Sequence, residues 1–527
     1  MGGYKIVLTS DRTLMSEYGG AIFMGFSACV PKGVIPDWVY FNIFCPSVKV
    51  NRSGSPLYAS YGLRKVEAAL LDYGFGEDEV AVAHSDYIDR FIGDSTRVIG
   101  VSENDPLGIG PATTTFTEIL GGEAYMAIKF RELLSNQSIA KYRRNIRVIV
   151  GGPGAWQLED GEMRSKLGVD CVVIGEGEKV VGPLFEKAVR GEEIPGVVYG
   201  DVVDVDEMPI IRRPAVCGLV EISRGCGRGC AFCVPTMLKF RCRPIDDILA
   251  EVRVTVRGGR NPLLHGEDVL RYGAKGIEAN PEAVLKLFKS VLSEPGVTGV
   301  SISHFTLSTV VATPRLIEEL SSLLGLSKNR WISGQTGIET GSPRIMSVHM
   351  RGKCKPFRPE DWPDVVVEAF QILSDNNWVP CGTMILGLPG EEPRDVDYSI
   401  ELVKNLRSFK SLIVPLFFVA AGSLEGKVRS FKLEDLTVKH SELILECWEH
   451  NLRWTPILMK EYFRLSSRNR IICNLMSVVI RYGIRRTLKL IDECRRVYGG
   501  DIKAMVEAYR MGAKRMYGEA YPIPSTP

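Results

Sequence analysis

Three cysteines stand at C-x3-C-x2-C, Cys226, Cys230 and Cys233, in the run VEISRGCGRGCAFC, and no other feature narrows the fold of this 527-residue chain as far. The run leaves a strand-like stretch and is rich in Gly, so it reads as a strand-end loop that can wrap three sulfurs around one centre. Three thiolates, rather than four, is the informative number. A cubane of four irons held by three cysteines keeps one iron free for an exchangeable ligand, whereas a structural metal site is normally closed. Spacing alone leaves a structural zinc open, with Cys217 or Cys242 as fourth ligand, although zinc sites usually draw on two separated C-x2-C pairs. The C-x2-C-x2-C-x3-C run of bacterial ferredoxins is not present.

The surrounding composition is that of a globular enzyme-sized protein. With 45% hydrophobic and 24% charged residues, the chain has enough apolar material for two or three cores. The formal charge is only +2, which gives no electrostatic reason to expect nucleic acid as partner. Charge is uneven, however: residues 451–527 hold fifteen Lys and Arg against six Asp and Glu. The start MGGYKIVLTSDRTLMSEYGG lacks a basic head followed by an apolar core, position 6 is Ile where a myristoylation motif wants Ser or Thr, and no stretch is apolar enough to span a bilayer. A cytoplasmic location is expected, and there thirteen cysteines point to metal rather than disulfides.

Along the chain, residues 1–200 alternate short β-branched runs such as Arg97–Val101 and Arg147–Val150 with amphipathic stretches such as Tyr61–Phe75. This predicts a doubly wound, Rossmann-like parallel sheet whose ligands sit beyond the strand ends, at SENDPLG (Ser102–Gly108) and GGPG (Gly151–Gly154). The acidic, proline-bearing segment 201–214 reads as an exposed linker. Residues 215–425 again alternate, with EAVLKLFKSVL (Glu282–Leu292) as a clear helix, and predict a partial (β/α)6 barrel. Residues 426–527 read as a basic helical region.

The cysteine motif, with Phe232 just before its last Cys, resembles the signature of the radical S-adenosylmethionine superfamily. The resemblance implies a 4Fe-4S cluster on Cys226, Cys230 and Cys233, whose open iron chelates S-adenosylmethionine. One electron from the reduced cluster then cleaves the sulfonium C–S bond to methionine and a 5′-deoxyadenosyl radical, which takes a hydrogen atom from an unactivated carbon. Three later turns match family elements in the expected order. In LLHGEDV, Gly266, Glu267 and Asp268 stand where the family has Gly-Gly-Glu, the turn that receives the ammonium group, with His265 replacing the first Gly. In GQTGIETGSPR, Glu339 and Ser342 are the expected ribose contacts, and in TMILGLPGE, Gly387 and Gly390 belong to the turn expected against the adenine. Phe232 joins this S-adenosylmethionine set.

The first 200 residues resemble the cobalamin-binding-like domain that precedes many such enzymes, on GGPG, the run VVIGEGE (Val172–Glu178) and the acidic linker. The resemblance implies cobalamin contacts at Ser102, Gly151 and Gly152. The family's Asp-x-His-x-x-Gly pattern is absent, and His84 in VAHSDYID reads as a surface or packing histidine, so cobalamin is expected without a histidine on cobalt.

Two weaker substrate candidates are His304, at a strand end, and Arg351, whose neighbour Lys353 shares the reading, while Cys354 and Cys381 read as packing residues. The leading expectation is cobalamin-dependent methylation of an unactivated carbon. The alternatives are radical C–C bond formation on an isoprenoid lipid and a non-catalytic iron–sulfur or zinc protein. Methylthio transfer is disfavoured, because the extra cluster of that group needs three grouped cysteines and only Cys29, Cys45 and Cys171 are available. Expected partners are a small-molecule or lipid substrate and a reducing donor such as ferredoxin or flavodoxin. The paired arginines Arg485–Arg486 and Arg495–Arg496 would suit peripheral contact with an anionic membrane, but a packed helical cap with a basic outer face is favoured.

Overall fold

The computed structural model describes residues 2–18, 22–465 and 470–517. Six short strands, β1 (Ile6–Thr9), β2 (Val80–Val82), β3 (Val98–Ser102), β4 (Arg147–Gly151), β5 (Cys171–Gly175) and β6 (Val197–Gly200), form an all-parallel sheet in the order β2-β1-β3-β4-β5-β6. Strands β1 to β5 are rich in β-branched residues and largely buried on both faces, as a sheet covered on each side by helices requires, while the edge strand β6 is only partly buried. Leu63 and Leu70 of the helix Tyr61–Tyr73 and Phe185 of the helix Val181–Val189 pack with Ile6, Leu8 and Val98 on one face. Phe130, Leu133 and Ile139 pack with Val7, Ile99 and Val148 on the other. Strand order reverses direction at β1, which places a topological switch point at the carboxyl ends of β1 and β3.

The segment 201–214 is not the exposed linker that its composition suggests. Val203, Met208 and Ile211 are buried, and the Ile211 amide donates to Glu251 at 3.2 Å. The acidic residues face water while the alternating apolar ones seal the strap against the helix Ile245–Arg257. Compositional averaging over fourteen residues hides that alternation.

Beyond the strap, β7 (Leu219–Glu221) opens the second half, and a small antiparallel pair, β8 (Ser223–Arg224) and β9 (Arg241–Cys242), brackets the cysteine loop. Then follow β10 (Leu263–His265), β11 (Ser301–Ile302), β12 (Ile332–Glu339), β13 (Trp378–Leu386) and β14 (Leu412–Phe417). Two parallel sheets, β11-β10-β7 and β12-β13-β14, are joined by a parallel bridge between His304 and Gln335. The result is six parallel strands in chain order, an open barrel with helices outside, as the alternation predicts. Val220, Leu264, Ile302, Phe305 and Met384 fill its interior side of the core. The helix Pro111–Leu120 of the first half packs on β14, where the Phe417 amide donates to Thr115 Oγ1 at 2.7 Å.

The helices Val438–Leu465, Arg470–Val497 and Ile502–Tyr517 complete the chain. Ile491, Cys494, Ile502 and Met505 join the barrel's core, which agrees with the helical-cap reading. Residues 518–527 of the basic region lie outside the described residues. Among the described residues no helix is long and apolar enough to cross a membrane.

Candidate active site

The carboxyl ends of both strand sets line one cavity of about 720 Å³, within the range of small-molecule and cofactor sites. The sheet contributes Ser102, Gly151, Gly152 and the β5 turn Gly175–Glu178; the barrel contributes Glu221, Arg224, His265 and Glu267.

The cysteine loop hangs at the barrel side of this cavity. Its backbone needs glycine: Gly225, Gly227 and Gly229 all have positive φ, of 73°, 66° and 70°, and a Cβ at Gly225 would overlap the Lys239 carbonyl. Cys226 N and Gly227 N both donate to Met237 O at 3.0 Å, and Ala231 N donates to His349 O at 2.9 Å. Arg271, itself 1% exposed, donates to the Cys226 carbonyl at 2.7 Å. Arg228 is the tightest anchor. Its Nη1 donates to the carbonyls of Gly352, Lys353 and Lys355 at 3.1–3.2 Å, and its Nη2 reaches Asp268, Thr306 and Thr309 at 3.0–3.3 Å.

The turn so held carries Lys353, whose ammonium lies 2.8 Å from Glu339 and beside the thiols. Burial alone would lower the Lys353 pKa, but Glu339 and the sulfur of Cys230 hold it above the ordinary value. A hydrogen bond from Cys233 brings Cys230 down to about 7 against the cost of burial, with Lys353 and Arg228 assisting. The same bond pushes Cys233 up, and burial raises Cys226. Two hydrogen-bonded thiols next to buried cations are readily converted to thiolates by a metal.

This donor set fits an open cluster. All three cysteines are free of disulfides, and the two sulfurs that could close a zinc site are engaged elsewhere. Cys217 donates to the Glu17 carbonyl at 3.4 Å, and Cys242 accepts from the Gly273 amide at 3.2 Å.

Around the loop the expected S-adenosylmethionine residues divide. Glu267 lines the cavity close to Cys226, and a Cβ at Gly266 would press on the Ser223 hydroxyl. Phe232 packs against the barrel core beside the loop. Glu339, at φ 66°, faces Lys353 and accepts from Thr383 at 3.0 Å. Asp268 is corrected: it is fully buried, and Thr306, Thr309 and Arg228 occupy its carboxylate. Ser342 is also corrected. It caps the helix Pro343–His349 and donates to Asp395 at 2.5 Å, with no exposed surface for a ribose. Gly387 and Gly390 form a turn, but the demand for Gly387 comes from Phe431, which a Cβ would overlap, and the Gly390 carbonyl accepts from Arg344 at 2.7 Å.

On the sheet side, a Cβ at Gly151 meets only ordinary contacts, whereas one at Gly152, φ 99°, would overlap the Glu103 backbone. Gly152 is therefore glycine for the chain's own packing. His84 is a packing histidine, wholly buried, with Nε2 2.8 Å from Ser47 Oγ. His304 stands behind the cavity wall, stacked edge-on to His265 at 5.7 Å and 3.1 Å from Gln335. Arg351 is exposed on the outer turn and is not among the residues that line this cavity. Cys354 and Cys381 are buried.

Sequence reasoning missed the ion cluster that joins the two halves. Arg224 lies 2.8 Å from each of Glu176, Glu178 and Glu221, and Arg241 pairs with Glu176 at 2.5 Å. The signal was present in the acidic GEGE turn and in the Arg two residues before Cys226, but neither names its partner.

Residues 220–403 match the model of the radical SAM superfamily. These residues form a radical SAM domain. An uncharacterised protein of Methanopyrus kandleri is 28% identical over 321 residues, covering 49% of this chain and 57% of that protein. The tRNA-2-methylthio-N(6)-dimethylallyladenosine synthase of Yersinia enterocolitica is 26% identical over 303 residues, covering 53% and 57%. The chain thus spans little more than half the length of these relatives. Outside the radical SAM domain, the fold extends to a solved structure of TsrM from Kitasatospora setae, a radical S-adenosylmethionine methyltransferase with tryptophan and an S-adenosylmethionine analogue bound. The TM-score is 0.53 at 13% identity, over 80% of this chain and 75% of that one. A second TsrM structure, with cobalamin and a [4Fe-4S] cluster bound, aligns at 0.52. The Cys29, Cys45 and Cys171 set does not group beside the radical SAM domain: Cys171 is inside β5, and Cys45 donates to the Thr13 carbonyl.

Proposed function

We propose that the chain reductively cleaves S-adenosylmethionine on a 4Fe-4S cluster held by Cys226, Cys230 and Cys233, and methylates a carbon of a small-molecule substrate with cobalamin bound in the shared cavity. One observation carries this reading: a single cavity of about 720 Å³ takes its walls from the strand ends of the sheet and from the residues beside the cysteine loop. Two cofactors that must exchange a one-carbon group need such common ground.

The chain's own residues have separable tasks. Glu267 offers a carboxylate to the ammonium of S-adenosylmethionine, and Lys353 offers an ammonium to its carboxylate. Ser102 and Gly151 leave the sheet edge open to cobalamin. With His84 sealed against Ser47, the sheet brings no histidine to cobalt. Bound cluster and cobalamin supply the electron transfer and the methyl carrier; the protein orients them and excludes water.

The test is anaerobic reconstitution with iron, sulfide and cobalamin, followed by measurement of bound cobalamin and of 5′-deoxyadenosine formed after reduction. Stoichiometric cobalamin with deoxyadenosine is the expected result. Deoxyadenosine without cobalamin would remove the methylation reading, and zinc in place of iron with no deoxyadenosine would remove both.

A further inference from the structure

The run Arg470–Ile491 holds five Lys and Arg and no Asp or Glu, and it lies within the long helix Arg470–Val497 of the basic region. We infer that the outer face of this helix docks on an anionic lipid bilayer, an inference independent of the radical reading above.

Burial separates the helix into two faces. Ile491 and Cys494 belong to the barrel's core, and Ile484, Thr487 and Leu490 are half-buried. The other side carries the exposed cations Arg481, Arg485, Arg486 and Lys489. Interleaved with them are Val478, Tyr482 and Leu488, which are 56%, 67% and 47% exposed. At about 3.6 residues per turn, these cations and apolar groups fall within about 160° of the helix circumference. A solvent-facing helix side is ordinarily polar throughout, so three large apolar groups among the cations mark a surface that is not made for water alone.

The paired arginines of the region divide by their partners. Arg495 lies 2.5 Å from Glu449 and Arg496 2.8 Å from Asp492. Arg481, Arg485, Arg486 and Lys489 have no acidic partner among the described residues. The next acids along the helix, Asp492 and Glu493, are taken by Arg496 and by the Tyr509 hydroxyl.

Unanswered cations select an anionic partner, and the interleaving selects among anionic partners. A second copy of this helix would set cations against cations. A protein interface gathers its apolar side chains at a dry centre with charges at the rim, whereas here the two kinds alternate along one face. A nucleic acid takes cations at its phosphates and an aromatic ring at its bases, but gives Val478 and Leu488 nowhere to bury. The headgroup boundary of a bilayer accepts both at one depth. Apolar groups enter the acyl region there, while Arg and Lys use their long stems to keep the charge among the phosphates.

The experiment uses the reconstituted full chain with vesicles of phosphatidylcholine, alone or mixed equally with phosphatidylglycerol, and cosedimentation at several salt concentrations. Wild type is expected to bind the anionic vesicles at least about tenfold more tightly than the neutral ones, with affinity falling as salt rises. R481E/R485E/R486E/K489E should lose that preference. Y482S/L488S keeps every charge and should weaken binding at low and high salt alike, which separates insertion from bare electrostatic attraction. Circular dichroism, iron content and dithionite-driven deoxyadenosine should match wild type in both variants. If the charge variant loses helix content, R485Q and K489Q decide, since each must weaken binding to the anionic vesicles. No vesicle binding, equal binding to both compositions, or undiminished binding by Y482S/L488S would overturn the inference. Tight binding of a single-stranded RNA with none to vesicles would overturn it as well. Absence of dithionite-driven deoxyadenosine in wild type leaves the docking intact and defeats the radical reading alone.

Discussion

The guanidinium of Arg224, two residues ahead of the first cluster cysteine, lies 2.8 Å from the carboxylate of Glu176 at the end of the sheet's fifth strand. A single side chain thus ties the floor of the sheet-side cavity to the start of the cysteine loop. Glu178 and Glu221 complete its coordination, and all four groups are at most 15% exposed. Removing the cation leaves three carboxylates crowded in a site of low polarity. We predict that Arg224→Met costs about 3–5 kcal/mol of stability, the usual consequence of stripping one partner from a buried ion cluster. The melting temperature and iron content should both fall, and adding Glu178→Gln should restore part of the loss. Equal melting temperatures for wild type and Arg224→Met would refute the coupling.

The cluster assignment is tested residue by residue. Cys226→Ser, Cys230→Ser and Cys233→Ser should each abolish the iron–sulfur absorbance after reconstitution while leaving the far-ultraviolet circular dichroism intact. Cys217→Ser and Cys242→Ser should retain full iron, because those sulfurs serve the Glu17 carbonyl and the Gly273 amide. Iron loss in either of the last two would bring a four-cysteine site back.

Much of this architecture is legible in the sequence, and what is not has a common cause. The run at Arg97–Val101 appears as a strand one residue later, and the helix from Tyr61 stops at Gly74 as its glycine signals. Periodicity and turn residues are local, so they survive the lack of tertiary information. Asp268 and Ser342 were misread because motif position gives the place of a residue but not the direction of its side chain. Asp268 turns to Arg228, forty residues earlier in the chain, and Ser342 to Asp395. Arg228 and Arg271 went unseen for the same reason: each acts on the loop through a contact between distant segments.

Arg228 should tolerate no conservative replacement. Its planar fork serves three carbonyls with one nitrogen and Asp268, Thr306 and Thr309 with the other, a division that a lysine ammonium cannot reproduce. Arg228→Lys is expected to lower iron retention and to loosen the 351–356 turn, seen as faster amide hydrogen exchange there. Slow exchange equal to wild type would show that the turn holds without the guanidinium.

Buried histidines contribute to the acid sensitivity of the fold. Burial lowers the pKa of both His84 and His450 from 6.5 to about 4. His450 sits 2.8 Å from Ser411, which fixes the helix Val438–Leu465 against the barrel, and His84 is held by Ser47. A folded-state pKa below the unfolded one means that the unfolded chain binds more protons between these values, so stability rises with pH across that window. The contribution is fully present above pH 6.5 and is lost as pH falls toward 4, on the order of 3 kcal/mol for each histidine. Denaturant unfolding of wild type should therefore weaken steeply from pH 6.5 to pH 4. His450→Gln should flatten that slope while lowering stability at neutral pH, because Gln keeps a polar contact to Ser411 but cannot charge. A variant that keeps the full wild-type slope would show that the proton uptake resides elsewhere.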